Sequence, residues 1–99
     1  MKLIYTEQSL ESLEETLIFI APNISYEKLM EIRDGILNEA DILEENPFIG
    51  QEEPYLEHLK LGHRRIIHDN YKIIYRVSDQ YIYITDIFDT RQNPAKMKG

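Results

Sequence analysis

His63-Arg64-Arg65-Ile66-Ile67-His68-Asp69-Asn70-Tyr71-Lys72-Ile73-Ile74-Tyr75-Arg76-Val77 is the stretch on which the fold turns. Ile, Tyr and Val crowd both halves, and Asp69-Asn70 between them suits the positive φ angles of a two-residue hairpin turn. Gly62 to His68 and Tyr71 to Val77 therefore read as antiparallel strands. With that turn, His68 pairs with Tyr71, Ile66 with Ile73 and Arg64 with Tyr75. Side chains alternate along a strand, so Ile66, Tyr71, Ile73 and Tyr75 share a face that has the composition of a core. The other face sets Ile67 opposite Lys72, Arg65 opposite Ile74 and His63 opposite Arg76. It reads as cationic and open.

Downstream, a turn around Ser78-Asp79 leads into a third strand, Gln80 to Phe88. A turn of even length places Tyr81, Tyr83, Thr85 and Ile87 on the open face and Ile82, Ile84 and Phe88 in the core. It also sends Asp86 to the core side, where a carboxylate needs Arg64 or a backbone partner. An odd-length turn reverses this strand. Upstream, Phe48 to Lys60, with Pro47, Gly50 and Pro54, reads as a connecting loop, and before it the apolar period is helical. Leu29, Ile32, Ile36, Ala40 and Leu43 form one stripe, capped by Ser25 and stopped by Pro47, with Gly35 a weak spot. Leu10, Leu13, Leu17 and Ala21 form another, capped by Thr6 or Ser9 and ended by Pro22-Asn23. Two helices so closely joined pack antiparallel. Lys2 to Tyr5 supplies a first strand. The order is β-α-α-β-β-β, an α+β domain over residues 1–99 in which a helical hairpin covers one face of a small, mainly antiparallel sheet.

The composition fits one such domain. The chain has 99 residues, 42% of them hydrophobic, with no Cys and no Trp. A chain of this length can bury a core without disulfides or a structural metal. Lack of Cys excludes thiol catalysis and cysteine zinc sites. No apolar segment resembles a signal peptide or a membrane span, so the expectation is a cytoplasmic protein that contacts no membrane. Net charge is −7, from 18 acidic and 11 basic residues, which by itself opposes nucleic-acid binding. Its distribution is uneven. Residues 1–60 hold 14 acidic and 4 basic side chains, net −10, whereas residues 61–99 hold 7 basic and 4 acidic, net +3.

Basic side chains interleaved with tyrosines on a sheet can grip phosphates and stack bases. They are also an ordinary solvated face that deters aggregation. His63 and His68 point to opposite faces and cannot share a metal, and no metal or cofactor site is expected. No Ser-His-Asp arrangement, glycine-rich phosphate loop or close carboxylate pair is specific enough to assign chemistry. Asn23-Ile24-Ser25 has the form of a glycosylation sequon, but Ser25 reads as a helix cap.

The element order, the loop Glu45-Asn46-Pro47-Phe48-Ile49-Gly50, the hairpin quoted above and the ending Asp86-Ile87-Phe88-Asp89-Thr90-Arg91-Gln92-Asn93-Pro94 together resemble the RelE/ParE superfamily, the toxins of type II toxin–antitoxin (plasmid stabilization) modules. The likeness covers nearly the whole chain. It implies a small protein that arrests growth when free and is neutralised by an antitoxin encoded beside it.

Two branches of the superfamily differ in chemistry. RelE-like members are ribosome-dependent endoribonucleases that cut messenger RNA without a metal, using cations to hold the scissile phosphate. ParE-like members inhibit DNA gyrase and need no nuclease residues. The positions matching the cleaving branch's cations are Arg65, Lys72 and Arg91, with His63 in place of a further lysine. Asp89 to Gly99 contains no Tyr or His, so the usual proton-transfer group lacks a counterpart, leaving His63 or Tyr83 as substitutes. The resemblance thus implies, for a nuclease, catalytic Arg65, Lys72, Arg91 and His63. For a binding toxin it implies a target- or phosphate-binding surface of Arg65, Lys72, Arg76, Tyr83 and Arg91, extended by Lys96 and Lys98. Whether the chain is an enzyme stays open. The acidic helical half favours a protein target such as gyrase over the ribosome. A degenerate toxin kept only as an antitoxin partner is a third reading.

Overall fold

Lys2–Tyr5 (β1) begins the chain, and Thr6 converts it to a helix over Glu7–Ile20 (α1) by accepting a hydrogen bond from the Ser9 amide. This occupies one of the amide groups that a helix start leaves without a partner. A 3-10 turn, Ala21–Asn23, reverses direction, and Ser25 caps the second helix, Tyr26–Asp41 (α2), in the same way. After a further 3-10 turn, Ile42–Glu44, come Gln51–Glu52 (β2), a 3-10 helix over Pro54–Leu59, Arg64–His68 (β3), Tyr71–Ser78 (β4) and Tyr81–Asp89 (β5). The computed structural model describes residues Met1–Gly99. The expected α+β order holds, with two additions inside the segment read as a loop: the short strand β2 and the Pro54–Leu59 helix.

The sheet order is β1-β5-β4-β3-β2, with β1 parallel to β5 and the other neighbours antiparallel. The β3–β4 register is the one the sequence predicts, His68 with Tyr71 through Arg64 with Tyr75, and Asp69 sits at φ 52° in the turn. The β4–β5 turn is also of even length, closed by Ser78 and Tyr81. Tyr71, Ile73, Tyr75, Ile82, Ile84 and Ile87 join Leu13, Ile36, Ala40 and Leu43 in one core between sheet and helices.

Three expectations fail, each for a physical reason. The first concerns β5. Tyr75 pairs with Ile84 but Ile74 pairs with Asp86, so Thr85 is an extra residue and the register shifts there. Such a bulge exchanges the faces of everything beyond it. Ile82 and Ile84 lie in the helix-side core as expected, but so does Ile87, while Phe88 packs on the opposite face with Ile74. Asp86 leaves the core side and takes the Lys98 amide as its backbone partner.

The second concerns α1. Its buried residues are Ser9, Ser12, Leu13 and Thr16, while Leu10 remains 50% exposed and Leu17 half-buried. Small polar side chains let the helix lie closely along β5, beside the edge that β1 leaves uncovered beyond Ile84, and Gln8 donates to the Thr85 carbonyl there. The leucine stripe consequently turns towards α2 and solvent. The third concerns the open sheet face. Leu56 of the 3-10 helix and Met97 of the tail cover Ile74 and Phe88, making a second small core. Two straps therefore cross the face that the sequence reads as open.

Candidate functional site

Beneath those straps lie most of the side chains that the sequence singles out. Arg65 on β3 and Lys72 on β4 project to the strap side, and both converge on one carboxylate. Lys72 Nζ lies 2.6 Å from Glu53 Oε1 and Arg65 Nε lies 3.7 Å from the same oxygen. Glu53 is 1% exposed, and its other oxygen accepts from the Tyr55 amide, capping the Pro54–Leu59 helix. The Arg65 guanidinium also donates to the Glu52 carbonyl at 2.5 Å and to Gln51 Oε1 at 3.2 Å. Tyr55 adds its ring 5.4 Å from Lys72 Nζ. The segment read as a connecting loop thus carries the counter-ion of two predicted site cations. Charge accounting on the sequence could have raised the question, because paired cations on a covered sheet require an anion. It could not have chosen Glu53 over Glu52 or Glu57.

Arg76 lies on the same face with its guanidinium 4.9 Å from the centre of the Tyr83 ring, so these two predicted residues do meet. His63 is 3% exposed, with the Gly99 backbone lying against its ring. Burial, reinforced by the neighbouring Arg76 charge, pushes its pKa below the usual histidine range.

Arg91 stands apart, just past β5. Its Nε and Nη2 donate to Asp89 Oδ1 and Oδ2 at 3.0 and 2.8 Å, and its amide donates to Oδ1 at 2.9 Å. This fork holds the Asp89 carboxyl below the usual carboxylate range and raises the guanidinium's own pKa. Arg91, Lys96 and Lys98 come together in a cleft of about 880 Å³ between the tail and α1, but Glu15, Asp86 and Asp89 line it too. Burial pushes the Asp86 carboxyl up, partly opposed by the Ser12 hydroxyl and the Lys98 amide. Cations and carboxylates alternate there, so the cleft is no simple anion site. No group of three His, Asp or Glu side chains converges to hold a metal ion.

A second surface arises from the rotation of α1. Leu10, Leu13, Leu17, Ile18, Ala21 and Leu29, with Glu14, line an apolar groove of about 260 Å³ along the helical hairpin. Ile18 at its rim is 63% exposed, and Phe19 beside it is 76% exposed. No element of the fold covers this apolar groove. Missing it from sequence was inevitable, because the same leucines at the same spacing serve equally well as core.

Comparison with known proteins agrees with the fold. A solved chain from the chromosomal ParDE TA system of P. aeruginosa superposes with a TM-score of 0.72 at 20% identity, covering 88% of this chain and 92% of that one. That likeness is one of fold. Among curated proteins none matches. The family model described as "ParE toxin of type II toxin-antitoxin system, parDE" matches residues 3–94. The chain therefore belongs to the ParE toxin family of type II toxin–antitoxin systems, and its partner is a cognate antitoxin.

Proposed function

We propose that this toxin arrests growth by binding and inhibiting DNA gyrase in the cytoplasm, without cutting RNA. One observation carries the reading. The three cations that would have to stabilise a cleaved phosphate, Arg65, Lys72 and Arg91, are each held by a carboxylate of the chain itself, Glu53 or Asp89. Phosphoryl chemistry needs such charges aimed at the reacting group, and a carboxylate already in contact cancels them there. His63, the substitute proton carrier, is buried under the straps. A toxin that works by surface contact needs none of these groups free.

Purified protein added to gyrase is expected to abolish negative supercoiling, and its induction in cells to leave messenger RNA uncut. Ribosome-associated cuts mapped after induction, with supercoiling intact, would establish the nuclease instead. Unimpaired growth with soluble protein would mark a degenerate toxin.

The antitoxin is assigned to the groove of the helical hairpin, where an amphipathic helix or extended segment can bury its apolar side chains. Leu10→Ser with Ile18→Ser is predicted to weaken antitoxin binding about tenfold or more, since apolar anchors dominate such contacts. Because both side chains are largely exposed, unfolding free energy should move by only about 0.5 kcal/mol. Calorimetric titration with the antitoxin and urea unfolding of the free toxin measure the two effects. Unchanged affinity would place the antitoxin elsewhere.

A further inference from the structure

Every charged side chain of α1 is acidic: Glu7, Glu11, Glu14 and Glu15. All four are exposed, and none has a cation within ion-pair distance. The two cations of the neighbouring α2 are already engaged, Lys28 with Glu31 at 3.6 Å and Arg33 with Asp34 at 3.0 Å. Side chains four apart on a helix are neighbours, so Glu7 and Glu11, and Glu11 and Glu15, repel each other in the free toxin. The same spacing sets Glu14 between Leu10 and Ile18 in one row along α1, where it lines the apolar groove. Uncompensated negative charge therefore borders the uncovered apolar surface.

We propose that the segment seated in this groove is a cationic amphipathic helix of about three turns, its apolar stripe flanked by lysines or arginines that face Glu7, Glu11 and Glu14. The inference rests on the assignment of the groove to the antitoxin, and it adds the conformation and charge of the segment that fills it. Length follows from the groove's ends. Leu10 and Ala21 are about 16 Å apart along the helix axis, which is the rise of about three helical turns. Conformation follows from the backbone. The side of a helix offers no free amides or carbonyls, so an extended segment finds no ladder to join there, whereas a helix satisfies its own. Charge follows from the rim. A second copy of this chain would bring the same four glutamates and no cation on its α1, and an acidic segment is repelled in the same way. A cationic segment is attracted to Glu14 and relieves the repulsion along α1, which favours encounter and selects the partner beyond what apolar burial provides.

The test titrates the toxin with its antitoxin by calorimetry at low and at high salt, and follows urea unfolding of the free toxin. Wild-type affinity is expected to fall about tenfold or more as salt rises, because exposed charges are screened. Glu11→Lys with Glu14→Lys should weaken low-salt binding about tenfold or more and flatten that salt dependence. The urea midpoint of this variant should not drop, since the new cation at position 11 lies four residues from both Glu7 and Glu15. Backbone chemical shifts of the antitoxin segment released by Leu10→Ser with Ile18→Ser are expected to be helical in the complex. Extended shifts there overturn the proposal, as does wild-type binding indifferent to salt or a charge variant that binds as tightly as wild type. If Leu10→Ser with Ile18→Ser still weakens binding in that case, the groove remains the antitoxin's and only the character of its occupant is wrong. If it does not, the groove assignment falls as well. Self-association of the wild type that Leu10→Ser with Ile18→Ser abolishes would give the groove to a second copy and overturn the proposal too.

Discussion

Gly50 shows how much one residue can constrain. Its amide donates to the Tyr75 hydroxyl at 3.0 Å and its carbonyl accepts from Arg64 at 2.7 Å, pinning the loop before β2 to the buried centre of the sheet. A Cβ at this position would lie 2.6 Å from the Tyr75 hydroxyl oxygen and 2.7 Å from the Arg65 carbonyl oxygen. Gly50→Ala is therefore predicted to destabilise by about 1–3 kcal/mol in urea unfolding, since neither the buried ring nor the backbone can move aside. Gly35 presents the opposite case. A Cβ there meets only the His68 imidazole, the end of a half-buried side chain that can swing away. Gly35→Ala should gain up to about 1 kcal/mol from helix propensity. Destabilisation comparable to that of Gly50→Ala would show that the His68 position is fixed. His63 makes a prediction about pH. Its folded pKa is lowered from the ordinary 6.5, so the unfolded chain binds the proton first as pH falls. Stability from this residue is complete above about pH 6.5 and is lost as pH drops from there through the folded pKa. His63→Phe, which cannot titrate, should flatten that part of the stability profile. An unchanged slope would mean that other groups carry it.

At the scale of elements, the bulge at Thr85 and the rotation of α1 are coupled. Beyond Ile84 no strand covers the outer edge of β5, and α1 lies beside it, with Gln8 bonded to the Thr85 carbonyl. Shifting the register there sends Ile87 to the helical core and lets the Asp86 carboxyl reach the Lys98 amide and the Ser12 hydroxyl. Deletion of Thr85 is predicted to keep Asp86 opposite Ile74 and Ile87 opposite Ile73, so both retain their faces. It should destabilise by about 1–3 kcal/mol through loss of the Gln8 bond to the Thr85 carbonyl and of the Thr85 hydroxyl bond to the Lys98 carbonyl. Circular dichroism during denaturation checks this, and a cooperative transition at the wild-type midpoint would contradict it. The same rotation leaves the leucine side of α1 accessible to a partner. One packing choice thus provides both the close helix–sheet contact and the groove.

On the scale of the whole molecule, charge is distributed so that the cations of the strand half are largely engaged internally. Glu53 crosses from the acidic segment to the basic one, and Asp89 holds Arg91 at the end of β5. The positive excess of residues 61–99 is therefore weak as an external field. Wild-type protein is predicted to show no measurable retention of single-stranded RNA at physiological salt, checked by filter binding. A salt-dependent affinity would reveal cations free to neutralise phosphates. No helix is long and apolar enough to cross a membrane.

The sequence by itself determined the elements and the hairpin at the centre. Asp69-Asn70 closes a two-residue turn, and a two-residue turn fixes every pair from His68–Tyr71 to Arg64–Tyr75. Caps at Thr6 and Ser25 were equally legible, because each bonds an amide only three residues away. Arg65, Lys72, Arg76 and Tyr83 lie on the strands expected for them, His63 lies just before β3, and Arg76 and Tyr83 are neighbours. Only the tertiary structure decided which face of α1 is buried, where β5 slips by one residue, and which anion meets Arg65 and Lys72. Each of these depends on groups far apart in the chain, as Glu53 and Lys72 are. Local spacing fixes how a segment is built, whereas the packing of distant segments fixes which of its faces meets what.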